Sequence, residues 1–429
     1  MKYSGIEWIG NVPDKWSLER LQWHLDEIKE SNDPIKTTQV LSLTNKLGVI
    51  PYEEKGEQGN KPKENVNEYK VAYPNTIVAN SMNILIGSVG KCDYFGCISP
   101  VYYVFKPKKD ENIDFLNYIF QLTQFQKELR KFANGILEIR LRVSSNDILK
   151  RYIAFPTKEE QQKIVDFLNK KILEIDSLIE IENQQIKKLK EYKQAVITEA
   201  VTRGLDINIP LKDSGVEWIG KIPEGWNTIK IKFTSWLKGR IGWDGLKSGE
   251  FIEEGPYLIT GTDFINGGIN WDTCTHISEE RFMEDELLHI YENDLLITKD
   301  GTIGKLAIVK NCPREVSLNS GVMIIRNTNK WKYLDKYLYY ILSSEQFYLW
   351  YGLSQSGNST IKHLYQGQFY DFEFTYPNLN EQKKISDYLD KKCVDIYKLI
   401  EIKKQKIDQL DEYKRSLIYE YVTGKKEVY

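Results

Sequence analysis

An internal duplication is the feature that most constrains the fold of this chain. Residues 4–16 read SGIEWIGNVPDKW and residues 214–226 read SGVEWIGKIPEGW, an offset of 210 residues (214 − 4). Residues 159–204 also match residues 380–425, with Gln161 aligned to Gln382 at an offset of 221 (382 − 161). A sequence that repeats at a fixed offset indicates a structure built from repeated units. The chain therefore contains two copies of one module, and the second copy holds 11 extra residues (221 − 210) between its matched ends.

Each module has an opening phrase, a divergent middle and a closing segment. The middles cover residues 17–156 and 227–377. Both read as strands, then a helix, then a polar loop rich in Gly, Asn and Ser, then a short strand ending at Pro156 or Pro377. This order predicts one compact α/β domain in each middle. Because the ends stay alike while the middles differ, we expect a shared frame that carries two different recognition domains.

The closing segments have the apolar repeat of a coiled-coil helix, with steps of three and four residues. Gly204 and Gly424 follow them at positions typical of a helix C-cap. A helix of this length is a rod of about 65 Å, and two matching seams in one chain are expected to pack on each other. A dimerisation zipper between two chains is the alternative. The predicted seam residues are Leu168, Ile172, Ile175, Ile179, Ile186 and Leu189 in the first helix and Leu389, Ile396, Ile400, Ile407 and Leu410 in the second.

A pseudo-twofold relation between the modules makes the two helices antiparallel. Glu182 and Lys403 then lie near the crossing point, where they either form an ion pair or stay solvated at a tolerated polar position of the seam.

Composition limits the function classes. Lys plus Arg number 59 and Asp plus Glu number 61, a net charge of −2, so the basic excess typical of a nucleic-acid-binding protein is missing and DNA contacts would need local patches. No apolar stretch has the roughly 20 residues of a membrane span, and MKYSGIEW does not resemble a signal peptide. Five scattered cysteines and four histidines do not form a zinc motif. We therefore expect a cytoplasmic protein with free thiols and no bound metal.

The combined pattern resembles the specificity subunit of type I restriction–modification systems. It comprises the W-I-G-x-x-P-x-x-W opening, D-G-T-I-G-K at residues 300–305, a proline followed by an E-Q-[QK]-K-I helix start, and duplication of the whole chain. The resemblance implies an α/β (α+β) fold with two tandem globular target-recognition domains, separated by a pair of long antiparallel helices in a pseudo-twofold internal repeat. The expected segments are a first recognition domain at 1–156, a spacer helix at 157–204, a linker and second domain at 205–377, and a second spacer helix at 378–429.

The resemblance also implies a function. Each recognition domain would read one half of a split site in double-stranded DNA, and the helices would hold the domains one to two DNA turns apart, at about 34–36 Å per turn. The helices would dock methyltransferase (modification) subunits, two per chain, and restriction/translocase subunits would join them. The chain itself would be non-catalytic and hold no cofactor, while S-adenosylmethionine, ATP and Mg would belong to the partners. Unlike middles imply an asymmetric bipartite target for adenine N6 methylation and restriction.

Most candidate DNA contacts lie in two kinds of segment, and Ser99, Asn319 and Ser320 lie next to strand-like stretches. ITKDGTIGKLAIV at 297–309 lacks the spacing and the hydroxyl of a P-loop, so it is better explained as a hairpin with a glycine turn. SVGKCDYFG at 88–96 is expected to hold the analogous place, with Lys91 matching Lys305. Polar loops before the two closing prolines offer further donors, and Arg can bind guanine bidentately. The alternative for the hairpin lysines is an exposed turn. For the polar loops it is a solvated charged loop or salt bridges at the junction of domain and helix. The predicted contacts are Lys91, Ser99, Arg140, Arg142, Lys299, Lys305, Asn319, Ser320, Lys362 and His363.

The tryptophans of the opening phrase invite comparison with base-stacking residues. Trp8, Trp16, Trp218 and Trp226 occupy identical places in both modules, whereas the two specificities are expected to differ. We therefore predict that they are packing anchors.

Two other function classes stay open at the level of sequence. A coiled-coil scaffold with two protein-binding domains explains the helices equally well but gives no reason for two divergent middles. A methyltransferase or nuclease is the third interpretation. However, the sequence has no D/N-P-P-Y/F motif, no Walker A motif and no plausible grouping of a nucleophile with a base.

Overall fold

The computed structural model describes residues 1–44, 48–55, 65–108, 111–135, 141–240, 246–330, 332–354 and 363–428. The chain forms two compact units. The first unit contains residues 1–182 and 404–429, and the second contains residues 183–403. Each long closing helix therefore contributes to both units.

The first unit combines short strands with three helices and parts of the two long ones. Its strands are β1 Lys2–Tyr3, β2 Asn11–Val12, β3 Ser17–Arg20, β4 Leu25–Ile28, β5 Leu41–Thr44, β6 Gly48–Pro51, β7 Lys70–Ala72, β8 Thr76–Asn80, β9 Val89–Cys92, β10 Gly96–Ile98, β11 Tyr102–Pro107 and β12 Tyr152–Phe155. Its helices are α1 Ile113–Gln121, α2 Thr123–Arg130, α3 Ser145–Leu149 and the start of α4 Lys158–Arg203.

The second unit repeats this order with additions. Its strands are β13 Leu211–Asp213, β14 Lys221–Pro223, β15 Asn227–Lys230, β16 Ser235–Gly239, β17 Ile252–Ile259, β18 Phe264–Ile265, β19 Gly268–Ile269, β20 Thr275–His276, β21 Leu295–Thr298, β22 Leu306–Ile308, β23 Val316–Leu318, β24 Val322–Asn327 and β25 Glu373–Tyr376. Its helices are α5 Glu279–Met283, α6 Asp335–Ser343, α7 Glu345–Ser354, α8 Gln366–Phe369 and the start of α9 Leu379–Val422.

The same antiparallel sheet lies at the centre of each unit. The strand order is β4-β11-β8-β9 in the first unit and β16-β24-β21-β22 in the second. A separate ladder joins the strand after the opening phrase to the strand before the closing helix, β3 with β12 and β15 with β25. In the second unit β17 adds a parallel pairing with β23. The predicted duplication of an α/β frame is therefore confirmed.

The two closing helices pack antiparallel within each unit. In the first unit Lys414 binds Asp176 (2.7 Å) and Lys406 binds Glu182 (2.6 Å), so partner numbers fall as numbers along α4 rise. In the second unit Lys193 donates to Tyr397 Oη (2.8 Å) and Lys403 to Gln185. Each residue of the predicted seam is buried or half-buried, as a packed seam requires.

The polar seam positions are also occupied by paired side chains. Glu182 is buried beside Lys406 rather than solvated, so the solvated alternative is wrong for Glu182. Burial of a carboxylate is tolerated when a cation is within hydrogen-bond reach. The suggested pairing of Glu182 with Lys403 stays a prediction.

The repeated opening phrase packs against the ends of the closing helices. Trp16 is buried beside Gly424, and Trp226 is buried beside Gly204 and donates its Nε1–H to Glu381 (3.1 Å). Both glycines have positive φ (77° at Gly204 and 71° at Gly424), as a left-handed C-cap requires. Trp8 and Trp218 are half-buried and pack against the cores of their own units, so the prediction that all four opening-phrase tryptophans are packing anchors is confirmed.

The E-Q start of each closing helix has a structural cause. Gln161 and Gln382 are fully buried, and each donates from Nε2 to the carbonyl of the closing proline five residues before it, Pro156 (3.0 Å) or Pro377 (2.8 Å). This bond satisfies a buried carbonyl at the point where the last strand turns into the helix. The motif therefore fastens each recognition domain to its helix.

Candidate nucleic-acid interface

The end of strand β21 defines the candidate interface of the second unit. β21 and β22 form an antiparallel hairpin, with Leu295 opposite Ile308 and Ile297 opposite Leu306. Gly301 and Gly304 take positive φ in the connection (65° and 84°), which a residue with a side chain adopts at a steric cost. The glycine-turn hairpin predicted for this segment is confirmed.

Backbone bonds bring two other segments to the same strand end. Lys299 N donates to Gly321 O (2.8 Å), and Leu364 N donates to Lys299 O (2.9 Å). The loops carrying Ser320 and His363 are thereby held beside the hairpin. Residues far apart in sequence thus form one surface, which we call the second edge: Lys305, Asn319, Ser320 and His363, with Asp300.

The side chains of the second edge differ in their contacts. Lys305 is exposed, and its Nζ lies 3.5 Å from Gly261 O. His363 Nδ1 contacts Asp300 Oδ1, and its ring lies against Tyr365 with centroids 4.4 Å apart. Asp300 was missed at the sequence level, because only the fold places it beside His363. This edge can offer both a cationic donor and a carboxylate acceptor to base edges or phosphates.

Asn319 has a structural task in addition to its position at the edge. Its Oδ1 accepts from Leu246 N (3.1 Å) and Ser320 N (2.7 Å), while its Nδ2 donates to Leu246 O (3.2 Å). The amide therefore joins two backbone segments, and a base contact would have to compete for the same amide donor and acceptor. Ser320 is half-buried beside it.

Lys299 requires a correction. It was expected on an exposed turn, but it is buried and donates to the carbonyl of Arg240 (2.9 Å). Burial lowers the pKa of its ammonium against the raising effect of the Asp300 charge. The reason for the difference is that residue 299 still belongs to the sheet, since its backbone pairs on both sides.

The first unit has an equivalent edge at the end of β8. Ser81 N donates to Val101 O (3.4 Å), and Val143 N donates to Ser81 O (3.2 Å), the same two bonds that Lys299 makes in the second unit. Arg142 then takes the place of His363, and Ser99 that of Asn319. Arg142 is exposed and reaches Met82 Sδ (3.7 Å), as His363 reaches Asp300. We call Ser99, Arg142 and Met82 the first edge.

The matching of Lys91 to Lys305 is wrong. Lys91 stands opposite Ile77 in the β8–β9 ladder, which corresponds to Ile308 opposite Leu295 in the second unit. The sheet register instead aligns Gly87 (φ 87°) with Gly304 (φ 84°), so Lys305 corresponds to Ser88.

Lys91 itself is held in local ion pairs. Its Nζ lies 3.0 Å from Asp114 and 3.4 Å from Asp93. Burial works against its charge, but the hydrogen bonds and charges of the two carboxylates raise the pKa of Lys91 overall. These ion pairs were not predicted for Lys91, where the alternative to a DNA contact was an exposed turn. Arg140 and Lys362 lie outside the described residues.

Comparison with known proteins identifies the family of the two duplicated domains. The model of the type I restriction modification DNA specificity domain matches twice, at residues 24–191 and 224–412.

The chain belongs to this DNA specificity family.

The chain is similar to curated specificity subunits of type I restriction enzymes. The chain is 23% identical to the putative type I restriction enzyme MjaX specificity subunit of Methanocaldococcus jannaschii, over 97% of this chain and 95% of that one. It is 27% identical to the MjaVIII specificity subunit of the same organism, over 64% of this chain and 61% of the relative. With the EcoBI specificity subunit of Escherichia coli it shares 24% identity over 48% and 44% of the two chains.

Solved structures support the fold. A chain from a study of complex assembly and conformational transition of the type I R-M system aligns with a TM-score of 0.71 at 14% identity, over 96% of this chain and 98% of that one. The HsdS subunit from Thermoanaerobacter tengcongensis aligns with a TM-score of 0.51 at 13% identity, over 99% and 100%. The prediction of a type I specificity subunit is confirmed, and the coiled-coil scaffold is not favoured.

Within the described ranges, no group of three or more His, Cys, Asp and Glu side chains is placed to hold a metal ion. No helix in the same part of the chain is long and apolar enough to cross a membrane.

Proposed function

We propose that this chain reads an asymmetric, bipartite target in double-stranded DNA and directs adenine N6 methylation and restriction by partner subunits. One observation carries the proposal. The two edges have the same backbone bonds but different side chains, Arg142 with Met82 in one and His363 with Asp300 in the other. Two half-sites of different sequence require the same backbone arrangement to present different hydrogen-bond donors and acceptors, and the two edges have this property.

The partners would supply the chemistry. Adenine methylation needs the base to be extruded into an enzyme pocket, so S-adenosylmethionine would be held by methyltransferase subunits. ATP and Mg would be used by restriction/translocase subunits, and this chain would hold no cofactor. Because DNA lies in the cytoplasm of prokaryotic cells, we place the complex there. The five free cysteines are compatible with that compartment.

The closing helices support two methyltransferase subunits per chain. Outside the seam, apolar side chains are 44–71% exposed at matched positions 221 residues apart. Isolated exposed apolar residues are common, but a set repeated at the same positions in both units indicates a surface used twice. The matched pairs are Leu173 and Val394, Leu178 and Leu399, Ile181 and Ile402, and Tyr192 and Tyr413.

Subunit docking can be tested with paired variants. Leu173→Ser with Ile181→Ser alters the first unit, and Val394→Ser with Ile402→Ser alters the same positions in the second. We expect each double variant to bind one methyltransferase subunit instead of two, as measured by light scattering on the purified complex. Retention of two subunits by both double variants would show that this apolar surface is not the docking site, and a parent chain that binds only one subunit would contradict the stoichiometry. The unfolding temperatures of the variants serve as the folding control.

The reading function is tested by exchanging one domain. Residues 17–156 are replaced by the corresponding segment of another specificity subunit, the methyltransferase is co-expressed, and N6-methyladenine is mapped across the host genome. We expect one half of a split motif to change and the other half to stay. Exchanging only residues 4–16 for residues 214–226 is the control and should leave the motif unchanged. A motif unaltered by the domain exchange would refute the proposal.

A further inference from the structure

A small pocket in the first unit carries an unusual concentration of positive charge. It has a volume of about 240 Å³ and lies between the opening phrase, β3 and the segment that enters β12. It is lined by Ile6 and Trp8 of the opening phrase, by Arg20, by the run Lys150–Tyr152 and by Glu128. We call this the cationic pocket. It is separate from the first edge and includes none of the predicted DNA contacts.

The two guanidinium groups of the cationic pocket are held by aromatic rings. β3 and β12 pair with Arg20 opposite Tyr152, and the Arg20 guanidinium lies 5.0 Å from the centroid of the Tyr152 ring. Arg151 lies 3.5 Å from the centroid of Phe132, and its Nε donates to Asp147 O (2.9 Å). Stacking fixes the plane of a guanidinium while leaving N–H groups at its edge for a ligand.

The positive charge of the pocket is not neutralised locally. Glu128 is bound to Lys131 (2.7 Å). Within the part of the chain that the structure describes, no carboxylate oxygen lies at ion-pair distance from Arg20, Lys150 or Arg151. Arg20 Nε is buried and has no hydrogen-bond partner among the same residues. A buried donor without a partner is costly, and an anion in the pocket would relieve that cost.

The duplicated module provides an internal comparison. The β15–β25 register puts Lys230 at the place of Arg20 and Glu373 at the place of Tyr152. There the cations are neutralised, since Lys230 and Lys232 both bind Asp371 (3.4 and 3.1 Å). Because the frame folds with a balanced charge in the second unit, the uncompensated charge of the first unit is not needed for folding.

We propose that the cationic pocket binds a phosphate group. Phosphate oxygens match the planar edges of guanidinium groups, and Lys150 adds a point charge. The same chemistry is found in the phosphodiester backbone of DNA and in a free phosphate or phosphorylated small molecule. Binding of phosphate by this pocket does not depend on the proposed function of the chain.

The first test uses inorganic phosphate and the full-length chain. Equilibrium dialysis with radiolabelled phosphate is expected to show one site per chain, and Arg20→Gln should weaken binding about tenfold, the loss typical of one charged hydrogen bond. Lys150→Gln keeps the test valid if Arg20→Gln fails to fold, because Lys150 is exposed and can be changed without disturbing the core. Lys230→Gln is the matched control, and it should bind phosphate like the parent chain.

The second test separates the two sources of phosphate. Binding of duplexes of several sequences is followed by fluorescence anisotropy as a function of salt. If the DNA backbone is the ligand, Arg20→Gln and Lys150→Gln weaken all duplexes alike and lower the salt slope by about 0.9 per lost contact. If a free phosphate compound is the ligand, DNA binding is unchanged while phosphate binding falls. The proposal is overturned if neither measurement responds, or if Lys230→Gln has the same effect as the pocket variants.

Discussion

Replacement of the buried glutamine at the start of each closing helix is expected to have unequal effects in the two units. Gln382 uses its whole amide: Nε2 donates to Pro377 O (2.8 Å) and Lys332 O (2.9 Å), and Oε1 accepts from Leu334 N (2.9 Å). Among the described residues, the Gln161 side chain makes the proline bond (3.0 Å) and no other, and its buried Oε1 has no partner. Methionine has a similar size but offers no amide to either site.

The magnitude follows from the groups that would lose their partners. Gln382→Met leaves three backbone groups unsatisfied, one buried and two partly buried, at about 1–3 kcal/mol for a buried group and less where water can enter. We therefore expect a loss of about 2–4 kcal/mol in the free energy of unfolding. Gln161→Met frees one carbonyl but removes the unpaired Oε1, so its net cost should be about 1 kcal/mol or less.

The assay is differential scanning calorimetry of the full chain, with hydrogen exchange to assign each transition to its unit. For a unit of this size about 1 kcal/mol corresponds to roughly 2–4 °C, so Gln382→Met should lower the second unit's Tm by roughly 10 °C and Gln161→Met the first unit's by a few degrees. Equal shifts, or a larger shift for Gln161→Met, would refute the reasoning that hydrogen-bond satisfaction sets the difference.

Two further outcomes follow from local geometry. Gly424→Ala should destabilise the first unit more than Gly5→Ala does, measured as free energy of unfolding in urea. Both glycines belong to that unit and have positive φ (71° and 73°), but a Cβ at Gly424 would lie 2.5 Å from Pro13 Cδ, whereas one at Gly5 meets nothing within 4 Å. The strain shared by both is about 1–2 kcal/mol, so equal losses would contradict the packing explanation. Burial raises the pKa of Cys92 to about 11 and of Cys274 to about 12, so both thiols should resist alkylation at pH 8 until the chain unfolds. Because the pKa of each thiol is raised in the folded state, the folded state favours the protonated thiol. This contribution to the free energy of unfolding is lost as the pH rises through the folded pKa. Rapid labelling of either thiol in the native chain would contradict its burial.

The closing helices and the buried tryptophans Trp16 and Trp226 could be predicted because their signals are local or repeated. A seam with steps of three and four residues fixes which face of α4 and α9 is buried, whatever the partner. The strand-end residues were harder. Lys299 and Lys305 look alike in sequence, yet one is buried against Arg240 and the other is exposed. The difference comes from a backbone bond to Gly321, which no local pattern reveals.

Similar dipeptides in the two modules are not equivalent positions, because the strand register decides which residues correspond. Gly-Lys pairs at 90–91 and 304–305 suggest the same position, but strand pairing aligns Gly87 with Gly304. The cationic pocket was missed for a related reason. Arg20 and Tyr152 are 132 residues apart (152 − 20) and meet only through the β3–β12 ladder.

The sequence by itself determined the duplication, the two long helices with their seam, the hairpin and the family, because each of these is written in repeats, periodicity or adjacent residues. The tertiary structure decided which polar side chains reach the two edges, which cations are buried or neutralised, and that Arg142 and His363 are equivalent. These depend on hydrogen-bond register and burial between distant segments, and both are set by the folded sheet rather than by neighbouring residues.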